Sequence, residues 1–380
     1  VGRPVELVSF EYAPYAGGIA VYTEELAQAL VRLGWAVRLW VPSYGKPQGE
    51  TEENGVRVLR VAMRAREDYF CQRRMATAMR LVVGETGFSQ VLLLDPGSIR
   101  MWLRARSLRV PQAKWMGVVF HGSDLQKLSA RPAGQQRLRE FLESVNRVGG
   151  VSEAVCRQIL KVYPGVQKRL VGCPGAVRAA FRREPWEAMP AGAGEGRLRL
   201  IQVGRWHPRK GQDILLEAMG RLSPGEQSKI RLDFSGTVVR RSYVRRLEAA
   251  ARQLRCEVNF HEGLETPALA GLLRQADVLA MPSRRLGHSL EGLGLASLEG
   301  AWFGCALLVA RTGGADEVLE DGSGGIVFPE GDVDALAHSL RELLSMERSD
   351  LVRMGQRAHQ YVEQKYSWEG SARNLLGERR

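Results

Sequence analysis

Short apolar runs alternate with longer stretches of helical spacing along almost the whole chain, and this alternation constrains the fold more than any other feature. VELVSF (5–10) is followed by a glycine-bearing loop and then by IAVYTEELAQALVRLG. In that stretch Val21, Leu26, Leu30 and Leu33 fall on one face of a helix that ends at Gly34. WAVRLWVP reads as the next strand. A strand, a crossover helix and a second strand form a βαβ unit, which implies a parallel sheet with helices on its faces. VLLLD (91–95) and WMGVVFHG (115–122) read as further strands, and GGVSE (149–153) as a strand end entering a helix.

The alternation breaks at EPWEAMPAGAGEGR (184–197), where Pro, Gly and Ala crowd together without period, as in a linker. It then restarts. RLRLIQVG, IRLDFSG, VNFHEG, DVLAMPS, CALLVA and GGIVFP read as strands, and DILLEAMGRL, RSYVRRLEAAARQLR, PALAGLLRQA and VDALAHSLRELL as helices. A chain of 380 residues suits two domains of ordinary size. The expectation is an α/β protein of two doubly wound, Rossmann-like domains facing across a cleft. The first covers residues 1–183 and the second 197–365. Ligands of open parallel sheets sit at the carboxyl ends of the strands, so the residues there are the candidates for chemistry.

Charge is unevenly spread. The net charge is +12, and residues 1–180 hold 26 Lys/Arg against 15 Asp/Glu. A basic first half points to an anionic partner or to a soluble, Arg-rich surface. No helix-turn-helix, zinc finger or aromatic RNA platform accompanies the charge, so nucleic acid is not an expected partner. Residues 99–110, IRMWLRARSLRV, mix Arg with Ile99, Met101, Trp102, Leu103 and Leu108. They read either as an interfacial helix on anionic lipid or as an ordinary amphipathic surface helix. No run of 18 apolar residues is present. The five cysteines are scattered without metal spacing and read as reduced thiols. The opening VELVSFEYAP reads as a strand rather than a leader peptide. The expected location is the cytoplasm, with peripheral attachment to the inner face of the membrane as an extension.

Four constellations lie at predicted strand ends. Gly17-Gly18 opens the first helix, where backbone N–H groups can approach an anion; a plain tight turn is the alternative. VGRWHPRKGQD (203–213) places Arg205 and Lys210 in a strand-to-helix loop, as a diphosphate site or a solvated basic loop. HGSD (121–124) puts His121 at a strand end, able to donate to a sugar or orient a carboxylate; a purely structural histidine is the alternative. SLEGLGLASLEGAWFG (289–304) carries Glu291 before a helix that starts near Gly294, and Glu299 within it. A carboxylate at a helix N-terminus is favoured by the dipole and the unpaired N–H groups. The alternative is that Glu291 caps the helix and Glu299 is solvated. Asp332-Val333-Asp334 forms a DxD, but it opens VDALAHSLRELL after Pro329 and Gly331, which N-capping explains.

Together these residues resemble the retaining glycosyltransferases of the group 1 type (family 4), which have the GT-B fold. Glu291–Glu299 matches the family's E-x7-E motif with its GLGL turn, and VGRWHPRKGQD its phosphate loop. Gly17-Gly18, HGSD, VSEA and Tyr366-Ser367-Trp368 are similar to further landmarks. The resemblance implies that Arg205 and Lys210 bind the donor diphosphate and that Glu291 faces the donor sugar. Backbone groups of Gly292, Leu293, Gly294 and Leu295 would contact sugar or phosphate. Glu299 would hold the ribose, His121 would contact the sugar near the reacting carbon, and Gly17 and Gly18 would approach phosphate or sugar. Leu264, beside Gly263, would meet the base. It also implies that a final helix, about 366–380, returns to the first domain.

The chain departs from the family where Pro174-Gly175-Ala176-Val177 stands for an Asn-Gly-Val-Asp segment and Ser235-Gly236-Thr237 for a GDGP-like turn. Leu293 stands where Phe is common. The expected activity is transfer of a sugar from a nucleotide-sugar donor to a saccharide, lipid-linked or small-molecule acceptor. Retention of configuration is expected, with no cofactor beyond the donor and no metal. A sugar phosphorylase, a sugar-nucleotide epimerase or a non-catalytic binding protein on the same fold is the alternative.

Overall fold

The structure is a computed structural model that describes residues 2–15, 17–63, 68–84, 86–183, 196–287, 289, 291–319, 322 and 324–377. The expected linker lies almost wholly outside these residues. The chain divides into two compact units, residues 1–175 with 367–380, and residues 176–366.

The first unit is built on strands β1 (Pro4–Val8), β2 (Ala36–Pro42), β3 (Gly49–Glu53), β4 (Val56–Val61), β5 (Phe88–Leu93), β6 (Ala113–Phe120), β7 (Arg147–Gly150) and β8 (Leu170–Gly172). Their order is β3-β4-β2-β1-β5-β6-β7-β8. All neighbours are parallel except β3 and β4. Leu7 lies opposite Leu39 on one side and Leu92 on the other. All three are fully buried, as central strands covered on both faces require. The β3–β4 hairpin turns at Asn54-Gly55, both at positive φ, and its outer strand is polar and solvated, which protects a sheet edge.

Four helices of this unit matter below: α1 (Gly18–Arg32), α2 (Tyr69–Val83), α3 (Pro96–Trp102) and α4 (Ala105–Leu108). The 99–110 stretch is therefore two short helices and not one interfacial helix. Ile99, Met101, Trp102 and Leu108 are buried in the core, so its apolar side chains are not offered to lipid. The C-terminal helix Trp368–Leu376 packs on this unit: Trp368 meets the ring of Tyr22 edge-on at 5.2 Å, and Asn374 donates to the Gly172 carbonyl at 2.9 Å.

The second unit holds β9 (Leu198–Val203), β10 (Ile230–Gly236), β11 (Glu257–Glu262), β12 (Val278–Met281), β13 (Ala306–Arg311) and β14 (Gly325–Pro329), all parallel. Their order is β11-β10-β9-β12-β13-β14. The reversal between β9 and β12 is the switch point at which doubly wound sheets bind ligands. Helices α5 (Gln212–Gly220) and α6 (Leu295–Trp302) follow β9 and β12 there. Residues 176–183, expected in the first domain, belong to the second unit. Phe181 is buried against Phe303, and Trp302 Nε1 donates to its carbonyl at 3.2 Å.

The DxD carboxylates are a helix cap and a surface pair. Asp332 accepts from the Ala335 N–H at 2.9 Å, and Asp334 pairs with Arg221. Among the described residues no helix is long and apolar enough to cross a membrane, and none of the five cysteines is joined in a disulfide.

Candidate functional site

Both loops leaving the switch point carry charge, and they meet. β9 ends before Gly204, a short 3-10 turn spans Pro208–Lys210, and α5 begins. Gly211 sits at φ +71, and a Cβ there would lie 1.9 Å from the Pro282 carbonyl oxygen. Only glycine lets this loop press against the end of β12. On the other side, Gly294 starts α6 at φ +80, where a Cβ would touch Met281.

Glu291 lies between these glycines and is buried. Its Oε2 accepts from Lys210 Nζ at 2.7 Å, from Arg209 at 2.8 Å and from Ser283 Oγ at 3.2 Å. Burial alone would raise its carboxyl. The Lys210 ammonium and the Arg209 guanidinium overcome that and hold it well below the usual carboxylate range. Burial pushes the Lys210 ammonium down, against the attraction of Glu291. Two cations share one carboxylate, so the cluster keeps a surplus positive charge suited to an anion.

Of the two cations expected at the donor diphosphate, Lys210 contacts Glu291, where Arg209 joins it, and the Arg205 side chain is exposed. Gly292, Leu293 and Gly294 are buried in the turn, and Leu295 opens α6. Leu264, half-buried, follows β11.

Glu299 lies inside α6 and is 5% exposed, so it is not a solvated acid. Arg178 forks onto it, Nε to Oε1 at 2.6 Å and Nη2 to Oε2 at 3.0 Å. The guanidinium also stacks 4.3 Å from the Phe181 ring. Arg178 was missed in the sequence. It follows the segment that departs from the family's Asn-Gly-Val-Asp, and only the fold shows that residues 178–181 lie over α6. Arg209 was also missed, although three cations within six residues of one loop were the available signal.

In the first unit His121 closes β6. Its backbone N–H donates to Asp124 Oδ2 at 2.6 Å, and its Nε2–H donates to the Leu94 carbonyl at 2.8 Å. Tyr22 packs edge-on against the ring at 4.8 Å. Burial pushes the imidazole pKa down, so the neutral form is favoured. With Nε2–H committed, the neutral ring offers Nδ1 as an acceptor rather than a donor. Gly17 and Gly18 form the N-terminus of α1, which has no side-chain cap and no acid in its first turn.

The chain belongs to the group 1 (family 4) glycosyltransferases of GT-B fold. The model for glycosyl transferases group 1 matches residues 188–361, and that for the glycosyl transferase 4-like domain matches residues 17–175. The chain is similar to the GDP-mannose-dependent alpha-(1-6)-phosphatidylinositol monomannoside mannosyltransferase of Mycolicibacterium smegmatis, 27% identical over 90% of this chain and 89% of that one. It is also similar to the D-inositol 3-phosphate glycosyltransferase of Jonesia denitrificans, at 24% identity over 95% and 90%. In fold it matches sucrose-phosphate synthase from Thermosynechococcus elongatus, with a TM-score of 0.77 and 19% identity over 99% of this chain and 98% of that one.

Proposed function

We propose that this glycosyltransferase moves a hexosyl group, mannosyl from GDP-mannose in the first instance, onto an acceptor bearing an inositol phosphate, with retention and without a metal. The observation that carries the reading is the buried Glu291 held by Lys210 and Arg209 at a glycine-lined strand end. The mannosyltransferase and inositol-phosphate relatives support the donor and the acceptor.

A nucleotide sugar already carries its leaving group. What the site supplies is positive potential where negative charge grows on the diphosphate. Lys210 and Arg209 do this, with the exposed Arg205 as an outer cation. Glu291, kept ionised, faces the sugar as positive charge develops at its anomeric carbon. The acceptor oxygen attacks on the face from which the diphosphate departs, and the departing phosphate takes its proton. Glu299 accepts from the ribose hydroxyls, and His121 Nδ1 from a sugar hydroxyl.

The test is transfer from a panel of nucleotide sugars to soluble inositol phosphate and to phosphatidylinositol, with the product anomer read by proton NMR. Glu291→Gln and Lys210→Ala are each expected to cut kcat by about 10²–10³ with the folded far-UV spectrum intact. An inverted product refutes retention. Near-wild-type rates in both variants refute the site, and loss of transfer in chelator refutes metal independence.

A further inference from the structure

The loop that carries Arg209 and Lys210 has little regular structure of its own, yet its carbonyls are taken up by donors from outside it. Gln212 Nε2 donates to the Arg205 carbonyl at 3.2 Å, Arg284 Nε to that of Pro208 at 3.0 Å and Gln202 Nε2 to that of Lys210 at 2.6 Å. The Arg284 N–H donates to the Arg209 carbonyl at 2.8 Å. These side chains come from α5, from the exit of β12 and from β9. A loop that is to hold an anion must turn its N–H groups and cations toward it. A carbonyl engaged by a donor within the fold is not free to face that anion.

Two of the three side-chain donors lead back to one hydroxyl. Arg284 Nη2 also donates to Asp213 Oδ2 at 2.7 Å. Tyr243, on the helix Arg241–Ala251, is buried. Its hydroxyl donates to Asp213 Oδ1 at 3.0 Å, accepts from the Asp213 N–H at 3.4 Å and lies 3.2 Å from Gln212 Oε1. Burial and the Asp213 charge push the phenol pKa up, so it stays a donor. The run Tyr243–Asp213–Arg284–Pro208 thus ties the cationic loop to a neighbouring helix. As a source of stability the Arg284–Asp213 pair is weak, because the two side chains are 27% and 39% exposed and a solvated ion pair contributes little. Its geometry is more specific: one guanidinium spans a carbonyl and a carboxylate, which needs the planar fork of arginine.

We propose that Arg284 is a positioning residue for the donor diphosphate, held in place by Asp213 and Tyr243. It acts by keeping the Pro208 and Arg209 carbonyls engaged, so that Arg209 and Lys210 meet the phosphates at a fixed spacing. This role rests on the reading that Arg209 and Lys210 bind that diphosphate. Without Arg284, Glu291 still attracts both cations. The backbone beneath them is then free to turn, and a loop carbonyl presented to a diphosphate repels it.

The experiment is calorimetric titration of the full chain with GDP and GMP, repeated with UDP and UMP, beside a melting curve. Wild type is expected to prefer the diphosphate. Arg284→Ala is expected to weaken diphosphate binding by about 10–100-fold, the scale of a misplaced binding group, and monophosphate binding far less, with a melting temperature close to wild type. Tyr243→Phe, which removes only the hydroxyl, is expected to act in the same direction. The double variant is expected to lose no more than Arg284→Ala alone, since both changes cut one chain of contacts. Arg284→Lys keeps the charge without the fork, so it is expected to resemble Arg284→Ala. Restored preference in Arg284→Lys would reduce Arg284 to a charge and overturns the proposal. So does equal weakening of di- and monophosphate, which marks a general structural role, or independent effects of the two changes. Lys210→Ala separates the two levels. If it loses the preference while Arg284→Ala keeps it, only the positioning role fails; if both keep it, the donor site itself is displaced.

Discussion

At the scale of single residues, two arginines each bind one of the motif's carboxylates, and they act differently. Arg209 shares Glu291 with Lys210, so its removal leaves one cation in place. Arg178 alone forks onto Glu299 in the described contacts, and Glu299 is nearly buried. Removing one partner of a buried pair leaves an uncompensated charge, at a cost of about 3–5 kcal/mol. Arg178→Ala is therefore expected to lower stability. If Glu299 holds the ribose, it will also weaken nucleoside diphosphate binding by about 10–100-fold, the loss of one charge-assisted fork. A structural role alone would weaken all nucleotides alike. A positioning role predicts that wild type prefers a ribonucleotide over its 2′,3′-dideoxy analogue and that Arg178→Ala loses this preference. Arg178→Lys cannot form the fork and should restore stability more than preference. Calorimetric titration with both nucleotides decides it; an unchanged preference removes Arg178 from the donor site.

At the scale of elements, helix α3 depends on a cap that is itself titratable. Asp95 is fully buried and accepts from the N–H groups of Gly97 at 3.1 Å and Ser98 at 3.0 Å. Burial pushes its carboxyl up to about 6, against those hydrogen bonds. Its folded pKa is above its unfolded value, so the native state holds the proton more tightly. Stability from this group is full below about pH 4 and falls as pH rises through 6. The loss is on the order of 3 kcal/mol for a shift of about two pKa units. Asp95→Asn titrates nothing, so the advantage of wild type over this variant should shrink by that amount between pH 4 and 7 in urea unfolding. A constant difference would show that the hydrogen bonds offset the effect of burial.

The elements also show what the sequence could convey. Buried parallel strands such as VLLLD and CALLVA announce themselves as apolar runs, and helix α1 by its spacing. The β3–β4 hairpin was legible only in its Asn54-Gly55 turn, because a solvated edge strand, GETEE, carries no apolar alternation. In 99–110 one amphipathic helix was expected and two short helices carry the apolar residues into the core, because periodicity cannot say whether an apolar side meets core or lipid. In α2 Arg73, Arg74 and Arg80 interrupt the apolar residues, so the segment carries no plain periodicity and its buried side, with Met75 and Met79, is visible only in the fold. The E-x7-E spacing was plain, whereas the arginines bound to it are far away in the chain and became visible only through the fold.

At the scale of the whole molecule, the ionic cluster lies within one unit. Glu291, Glu299, Arg178, Arg209 and Lys210 all belong to residues 176–366. Each unit has its own parallel sheet and buried core. A ligand that binds only the native state stabilises it by about 2.7 kcal/mol at a hundredfold excess over Kd, and that stabilisation is largest where the ligand orders the chain. Hydrogen exchange read by mass spectrometry should therefore give a local footprint. GDP at saturation is expected to slow exchange in 203–213, 263–265 and 291–299 and to leave 69–83 unchanged. GDP protection confined to the first unit would displace the donor site from Glu291 and Lys210. If UDP rather than GDP gives this footprint, the site assignment stands and the donor base changes, because Lys210 and Arg209 act on the diphosphate that both nucleotides carry.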